Sequence, residues 1–266
     1  MFGYQAVYDD DFFDALDYAA KNGFDFVSFD LNVPRFYIDG LPDARLDEIR
    51  GYAVSKNVKP AFHAPGDNIS LYTDYPAIRS GILEHFSSII TSAQHLQARH
   101  TTIHPGAYPS LKKFDAKNDD FVAAHRDYFS RMLYENVMHL ADRAKDVLLC
   151  LENFNFTDIT METVDKLLAN TDRLFLTWDI AKTYDRSLQK DEMVESFMLK
   201  HCDRIREIHI HDIIKDFRSH QIVGEGGIDF SQYADLLHRP DIAITIEVRP
   251  REAAKVSRDS IISMLC

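Results

Sequence analysis

Two spacings of apolar residues take turns along this chain. Short apolar runs recur at Gly3–Val7, Phe26–Leu31, Lys59–His63, Thr101–His104, Val147–Asn153, Leu174–Asp179, Glu207–His211 and Ala243–Val248, each with the composition of a strand. Between them the apolar positions fall at helical period, as in Asp11–Asn22, Ala77–Gln97, Asp120–Lys145, Thr160–Ala169 and Asp191–His201. Strand and helix exchange throughout, which predicts βαβ units and a parallel sheet. At 266 residues the chain matches one closed (β/α)8 barrel, an α/β fold that usually takes roughly 250 residues, better than it matches an open doubly wound sheet. An open dinucleotide-binding sheet would carry a Gly-rich phosphate loop after its first strand, and Tyr8-Asp9-Asp10-Asp11 stands there instead. Gly224-Glu225-Gly226-Gly227 follows a loop, has the wrong spacing for a phosphate fingerprint, and reads as a turn.

No Pro/Gly/Ser linker, low-complexity tract or like-charge block interrupts the pattern, so one domain over residues 1–266 is expected. Hydrophobic residues at 45% and charged residues at 27% are the balance of a soluble chain with a large core. The longest apolar runs, such as Val147–Leu151, fall well short of the ~20 residues that cross a bilayer. Residues Met1–Gln5 lack the basic and apolar regions of a secretory signal, and a cytoplasmic location is expected. Cys150, Cys202 and Cys266 are odd in number and unclustered, and are read as reduced thiols. A net charge of −12 repels a phosphate backbone, so nucleic acid is a disfavoured partner. The sequence leaves the oligomeric state open.

The chemistry gathers at the ends of the runs. Strand ends of a parallel barrel build its active site, and six runs end in a potential ligand: His63, His104, Glu152, Asp179, His209 and Glu247. A single strand-end His or carboxylate more often makes a structural hydrogen bond than binds a metal. Three carboxylates converging on one mouth are costly unless something positive compensates them, and a divalent metal is the economical answer. His and carboxylate ligands without thiolate suit Zn²⁺, Mn²⁺, Co²⁺ or Fe²⁺. Alternation along the strand places His209 and His211 on the same side, so both stand as candidate ligands.

The ordered segments Phe62-His63-Ala64-Pro65, Ile103-His104-Pro105-Gly106, Leu151-Glu152-Asn153, Trp178-Asp179-Ile180, His209-Ile210-His211-Asp212, Val223–Phe230 and Ile246-Glu247-Val248-Arg249-Pro250 carry a resemblance over nearly the whole chain. The sequence resembles the xylose isomerase-like barrel superfamily, which includes endonuclease IV, sugar epimerases and isomerases, and inosose-handling enzymes. The resemblance implies that Glu152, Asp179, His209 and Glu247 hold one metal, with Zn²⁺ or Mn²⁺ preferred, and that His220 faces it from a loop. His209 is favoured over His211 because the first His of that motif is the usual ligand. His63, His104 and Glu152 resemble a second site of endonuclease IV, so one metal ion or two are expected. That enzyme's third site is broken here, where Lys182 and Arg218 replace a histidine and an aspartate. Two cations in those places suit a substrate phosphate or carboxylate.

The resemblance therefore implies a metal-dependent isomerase or epimerase of a sugar, sugar acid or sugar phosphate, a small-molecule partner. Glu152 and Glu247 would be the catalytic pair for proton transfer, with His63, His104, Lys182, His220 and Arg249 contacting substrate. For Arg249 a rim salt bridge is equally expected. The rival reading is an endonuclease IV-like di-metal phosphoester hydrolase, favoured by the presence of both His63 and His104. For that reading Tyr72 would serve as a stacking residue. Phe154 and Phe156, just past Glu152, are expected at a pocket.

Overall fold

The computed structural model describes residues 1–66, 68–109, 119–185, 187–215 and 218–265. Eight parallel strands close a barrel in chain order: β1 (Phe2–Ala6), β2 (Phe26–Asp30), β3 (Lys59–His63), β4 (His100–Ile103), β5 (Leu148–Glu152), β6 (Leu174–Asp179), β7 (Ile205–Ile210) and β10 (Ala243–Ile246), which returns to pair with β1. Between β7 and β10 an antiparallel hairpin stands over the mouth, made of β8 (Asp212–Ile214) and β9 (Arg218–Gln221). The helices are α1 (Phe12–Asn22), α2 (Asp43–Lys56), α3 (Pro76–His95), α4 (Asp119–Arg143), α5 (Asp158–Asn170), α6 (Glu192–Lys200), α7 (Ala234–Leu237) and α8 (Arg251–Leu265). The (β/α)8 barrel expected from the alternation of the two spacings is the fold observed.

Local chemistry sets the helix limits. Asp11 lies one residue outside α1 and caps it, its carboxylate accepting from the amides of Phe13 and Asp14. The helix stops at Gly23, whose φ of 74° is left-handed and costs glycine nothing. Its buried Phe12, Ala15, Leu16 and Ala19 fall at the i, i+3, i+4, i+7 spacing that seats a helix on a barrel. Helices α2 and α8 lie outside the segments named from the pattern. They bury only Leu46, Ile49 and Ala53, and Ala254, Ser257 and Ile261, narrow stripes of partly small residues among charges.

Strand alternation divides the core in two. Outward-facing strand residues such as Val27, Phe29, Phe62, Leu149, Leu151, Ile208 and Ile210 join the helices in one large apolar cluster. Inward-facing residues behave differently. Phe26, Ala61 and Ala243 make a separate apolar plug at the amino-terminal end of the barrel. Above it the interior turns polar, with Thr102, Thr177, Glu207 and Thr245 all completely buried. Interiors of such barrels are mostly filled by bulky branched apolar residues, so this polar layer needs its own account.

Candidate metal centre

Register brings the strand-end residues to one level. Asp179 at the end of β6 pairs with His209 on β7, and His63 at the end of β3 pairs with Thr102 of β4, two residues before His104. Glu152 ends β5 and Glu247 follows β10. All six strand-end candidates are buried. His104 Nε2 and His63 Nε2 lie 2.9 and 3.2 Å from Glu152 Oε2. His209 Nδ1 lies 3.5 Å from Glu152 Oε2 and 3.2 Å from Glu247 Oε1. Ligand atoms of Glu152, Asp179 and His209 lie within 4.8 Å of one another, as do those of His63, His209 and Glu247 and those of His63, His104 and Glu152. The four proposed ligands are thus spread over two overlapping clusters that share His209.

The two histidines of β7 and its exit differ in what they have free. His209 turns Nε2 to Glu207 Oε1 at 3.0 Å and leaves Nδ1 facing the carboxylates. His211 Nδ1 accepts the backbone N–H of His220 at 3.0 Å, and its Nε2 stands 3.5 Å from Asp179 Oδ2. The Nδ1 lone pair of His211 is thus engaged, and its Nε2 faces the Asp179 carboxylate. His220, on β9 with φ 59°, stacks on His211 at 4.2 Å and brings Nε2 to 3.7 Å from Glu247 Oε2.

Lys182 sits in the turn after β6. Its ammonium bonds Glu152 Oε1 and lies 2.9 Å from Asp179 Oδ2, while its backbone N–H donates to Asp179 Oδ1 at 3.2 Å. Arg249 donates to Gln5 Oε1 and stands 4.0 Å from Asp30, and Gln5 in turn donates to Glu247 Oε1 at 2.9 Å. Arg249 therefore reaches the site through Gln5 and also makes the rim contact. Phe154 stacks flat on His104 at 4.5 Å, with the Lys182 ammonium 5.3 Å from its ring centre, so it lines the mouth. Phe156 packs on Phe197 of α6 instead. Tyr72 is no stacking platform: its ring is fully buried and its hydroxyl bonds Thr160. The side chain of Arg218 and residue Cys266 lie outside the described residues; Cys150 and Cys202 are free thiols.

Burial and neighbouring charges oppose one another throughout the site. Burial opposes ionisation of Glu152 most, yet Lys182, His104 and His209 together hold its carboxyl well below the usual range. At Glu247 burial again opposes ionisation most, and the charges of His209 and Lys182 with a hydrogen bond from His220 hold it well below that range. Burial works against the imidazolium of His209, but Glu247, Glu207 and Glu152 push its pKa up to about 10. Burial is the largest influence on His104, which His63 and Lys182 also help to lower, despite Glu152.

The family described as xylose isomerase-like TIM barrel matches residues 16–264. The chain belongs to that family. A curated relative, the uncharacterized protein MJ1614 of Methanocaldococcus jannaschii, is 25% identical over 199 residues, covering 74% of this chain and 73% of its own. Among solved barrels, a D-tagatose 3-epimerase-like protein superposes with a TM-score of 0.76 at 20% identity, covering 99% of this chain and 96% of its own. The IOLI protein, solved with a zinc atom, superposes with a TM-score of 0.74 at 16% identity, covering 99% and 97%.

The donor set of this xylose isomerase-like barrel suits a divalent cation. Three buried carboxylates converge, and His209 Nδ1 is buried with no aligned hydrogen-bond donor or acceptor among the described residues. Such a cation would supply charge to polarise a carbonyl or hydroxyl oxygen. Three polar residues close to the site were not anticipated: Gln5 on Glu247, Asp30 near Arg249, and Glu207 beneath His209. Period-two alternation was the available signal, since Glu207 and His209 must share a face of β7. Gly66 and Gly226 matter by lacking a side chain. A Cβ on Gly66 would strike the His104 ring, and one on Gly226 would strike the Asp212 carboxylate that accepts the amides of Gly224, Gly226 and Ile228.

Proposed function

We propose that this protein is a divalent-metal-dependent isomerase or epimerase that moves a proton at a carbon beside a carbonyl of a sugar, sugar acid or sugar phosphate. In this reading Glu152, Asp179, His209 and Glu247 hold the cation, with Zn²⁺ or Mn²⁺ preferred. One observation carries it: Glu152 and Glu247 approach the same His209 Nδ1, at 3.5 and 3.2 Å, from strands on its two sides. Two ionised carboxylates flanking one point can take a proton from one face of a carbon and return it to the other. Lys182, His220, His63, His104 and Arg249 ring that point and orient the substrate hydroxyls or acid group. The likeness of one structural neighbour to D-tagatose 3-epimerase and the zinc of the IOLI neighbour agree with this chemistry.

The test is turnover of ketoses, including D-tagatose, in D₂O with Mn²⁺ or Zn²⁺. Epimerised sugar carrying solvent deuterium at the inverted carbon is expected, and Glu152→Gln or Glu247→Gln should lower the rate about 10²- to 10⁴-fold, the usual worth of a positioned acid or base. Inversion without deuterium uptake, or full activity in both variants, would overturn the pair. A second reading, a di-metal phosphoester hydrolase, is favoured by the cluster of His63, His104 and Glu152. Two bound metal ions per chain together with cleavage of a phosphodiester would select it.

A further inference from the structure

Glu207 is a carboxylate inside the barrel below the strand ends, and proton transfer at the mouth makes no use of it. It is completely buried in the middle of β7, two residues before His209 and on the same face. Its carboxylate accepts the hydroxyls of three threonines from three strands: Thr102 of β4, Thr177 of β6 at 2.8 Å and Thr245 of β10 at 2.6 Å. Its Oε1 also meets His100 Nε2 at 2.8 Å and His209 Nε2 at 3.0 Å. Burying a carboxylate costs free energy that an apolar side chain would not, and here three hydroxyl donors and two close imidazole nitrogens offset it.

We propose that Glu207 is a positioning residue that fixes the His209 ring so that Nδ1, and not Nε2, is presented to the cation, with His100 and the three threonines as its support. A histidine ring can flip and can carry its proton on either nitrogen, so the residue alone does not determine which lone pair faces upward. The carboxylate below removes that freedom. It holds the N–H of Nε2 on the barrel axis, leaves the Nδ1 lone pair between Glu152 and Glu247, and strengthens the imidazole as a ligand. This role also accounts for the polar middle layer. Thr102, Thr177 and Thr245 are worth burying only if the charge they satisfy is needed. The inference rests on the metal-centre reading given above.

The test uses the full chain labelled with ¹⁵N-histidine and loaded with ¹¹³Cd²⁺. In the native protein, cadmium coupling at His209 Nδ1 and a bonded proton at Nε2 are expected. In Glu207→Gln the dissociation constant for Zn²⁺, measured against a chromophoric chelator, should rise about 10- to 100-fold, the usual effect of losing such a partner. Cadmium coupling through Nε2 in the native protein overturns the assignment, as does a Glu207→Gln protein whose Zn²⁺ affinity is unchanged. Should that variant fail to fold, the native spectrum still decides. A native protein that binds neither Cd²⁺ nor Zn²⁺ overturns the metal-centre reading itself, which separates the two failures.

Discussion

The two ends of this barrel are built by the same strands and do opposite work. Reading the inward positions upward, β2 runs Phe26, Ser28, Asp30, and β10 with the residue that follows it runs Ala243, Thr245, Glu247. Both pass from apolar through hydroxyl to carboxylate. Successive inward positions are separated by two residues of rise, roughly 6.6 Å, so the environment changes from hydrocarbon to a charged ring within two steps. At the bottom, Phe26 lies over Gly3, too close for any side chain there, and sets its edge to His100 at 5.5 Å. At the top, the carboxylates of Glu152, Asp179 and Glu247 stand buried where only counter-charge makes them tolerable. The lower end closes the barrel and can be paid for by packing, whereas the upper end is held open for chemistry.

The sharpest way to break that contrast is Phe26→Ala. Removing a fully buried ring leaves a cavity, and a loss of about 3–5 kcal/mol is expected from transfer and packing together. Chemical denaturation measures it. If the ends are independent, Zn²⁺ affinity stays at the native value. A joint loss of stability and affinity would mean that the contact of Phe26 with His100 is felt at His209 through Glu207, and the division of labour would fall.

A smaller effect tests the upper end alone. Lys182 places its ammonium on Glu152 and Asp179, two of the four proposed ligands. A cation entering there meets a positive charge already in contact with both carboxylates, and Asp179 is held below its ordinary pKa partly by that lysine against the effect of burial. Lys182→Met keeps the stem and removes the charge. Zn²⁺ should then bind about tenfold more tightly, the consequence of relieving roughly 1.4 kcal/mol of repulsion, as read by chelator competition. Weaker binding would instead make Lys182 a partner that holds the ligands in place.

How much of this was legible in the sequence follows from where each residue sits. The strand-end candidates stood out because a His or carboxylate closing an apolar run breaks the pattern, and the barrel itself followed from eight such runs separated by helical period. Glu207 did not stand out. It opens its run two residues before His209, and a lone charge at the start of a run gives no sign of the three threonines that meet it from other strands. His209 and His211 share a face, so alternation could not separate them. The backbone N–H of His220 on His211 Nδ1 distinguishes them, and that contact depends on the hairpin of β8 and β9, which no apolar period marked. Arg249 was read both as a substrate contact and as a rim salt bridge, and its bond to Gln5 joins the two, a pairing across the closure of β1 and β10.

The smallest effect concerns pH. His209 has its pKa pushed up to about 10 by Glu247, Glu207 and Glu152, against burial, from an ordinary value of 6.5. A raised histidine stabilises the fold fully below its unfolded value and loses that contribution as pH climbs through the folded one. His63 and His211 are raised as well, by Glu152 and by Asp179 respectively, again against burial, and act in the same direction. His104 is lowered by burial, so its contribution is lost only on the acid side, below about 6.5. The metal-free protein should therefore melt at progressively lower temperature between about pH 6.5 and 10. Buried Cys150, whose thiol is pushed up, adds to the loss near the alkaline limit in metal-free and loaded protein alike. With a cation on Nδ1 no proton remains there to lose, so the gap in Tm between Zn²⁺-loaded and metal-free protein should widen across that window. A gap that stays constant from pH 6.5 to 10 would show that the cation does not replace the His209 proton, and would move the ligand away from Nδ1.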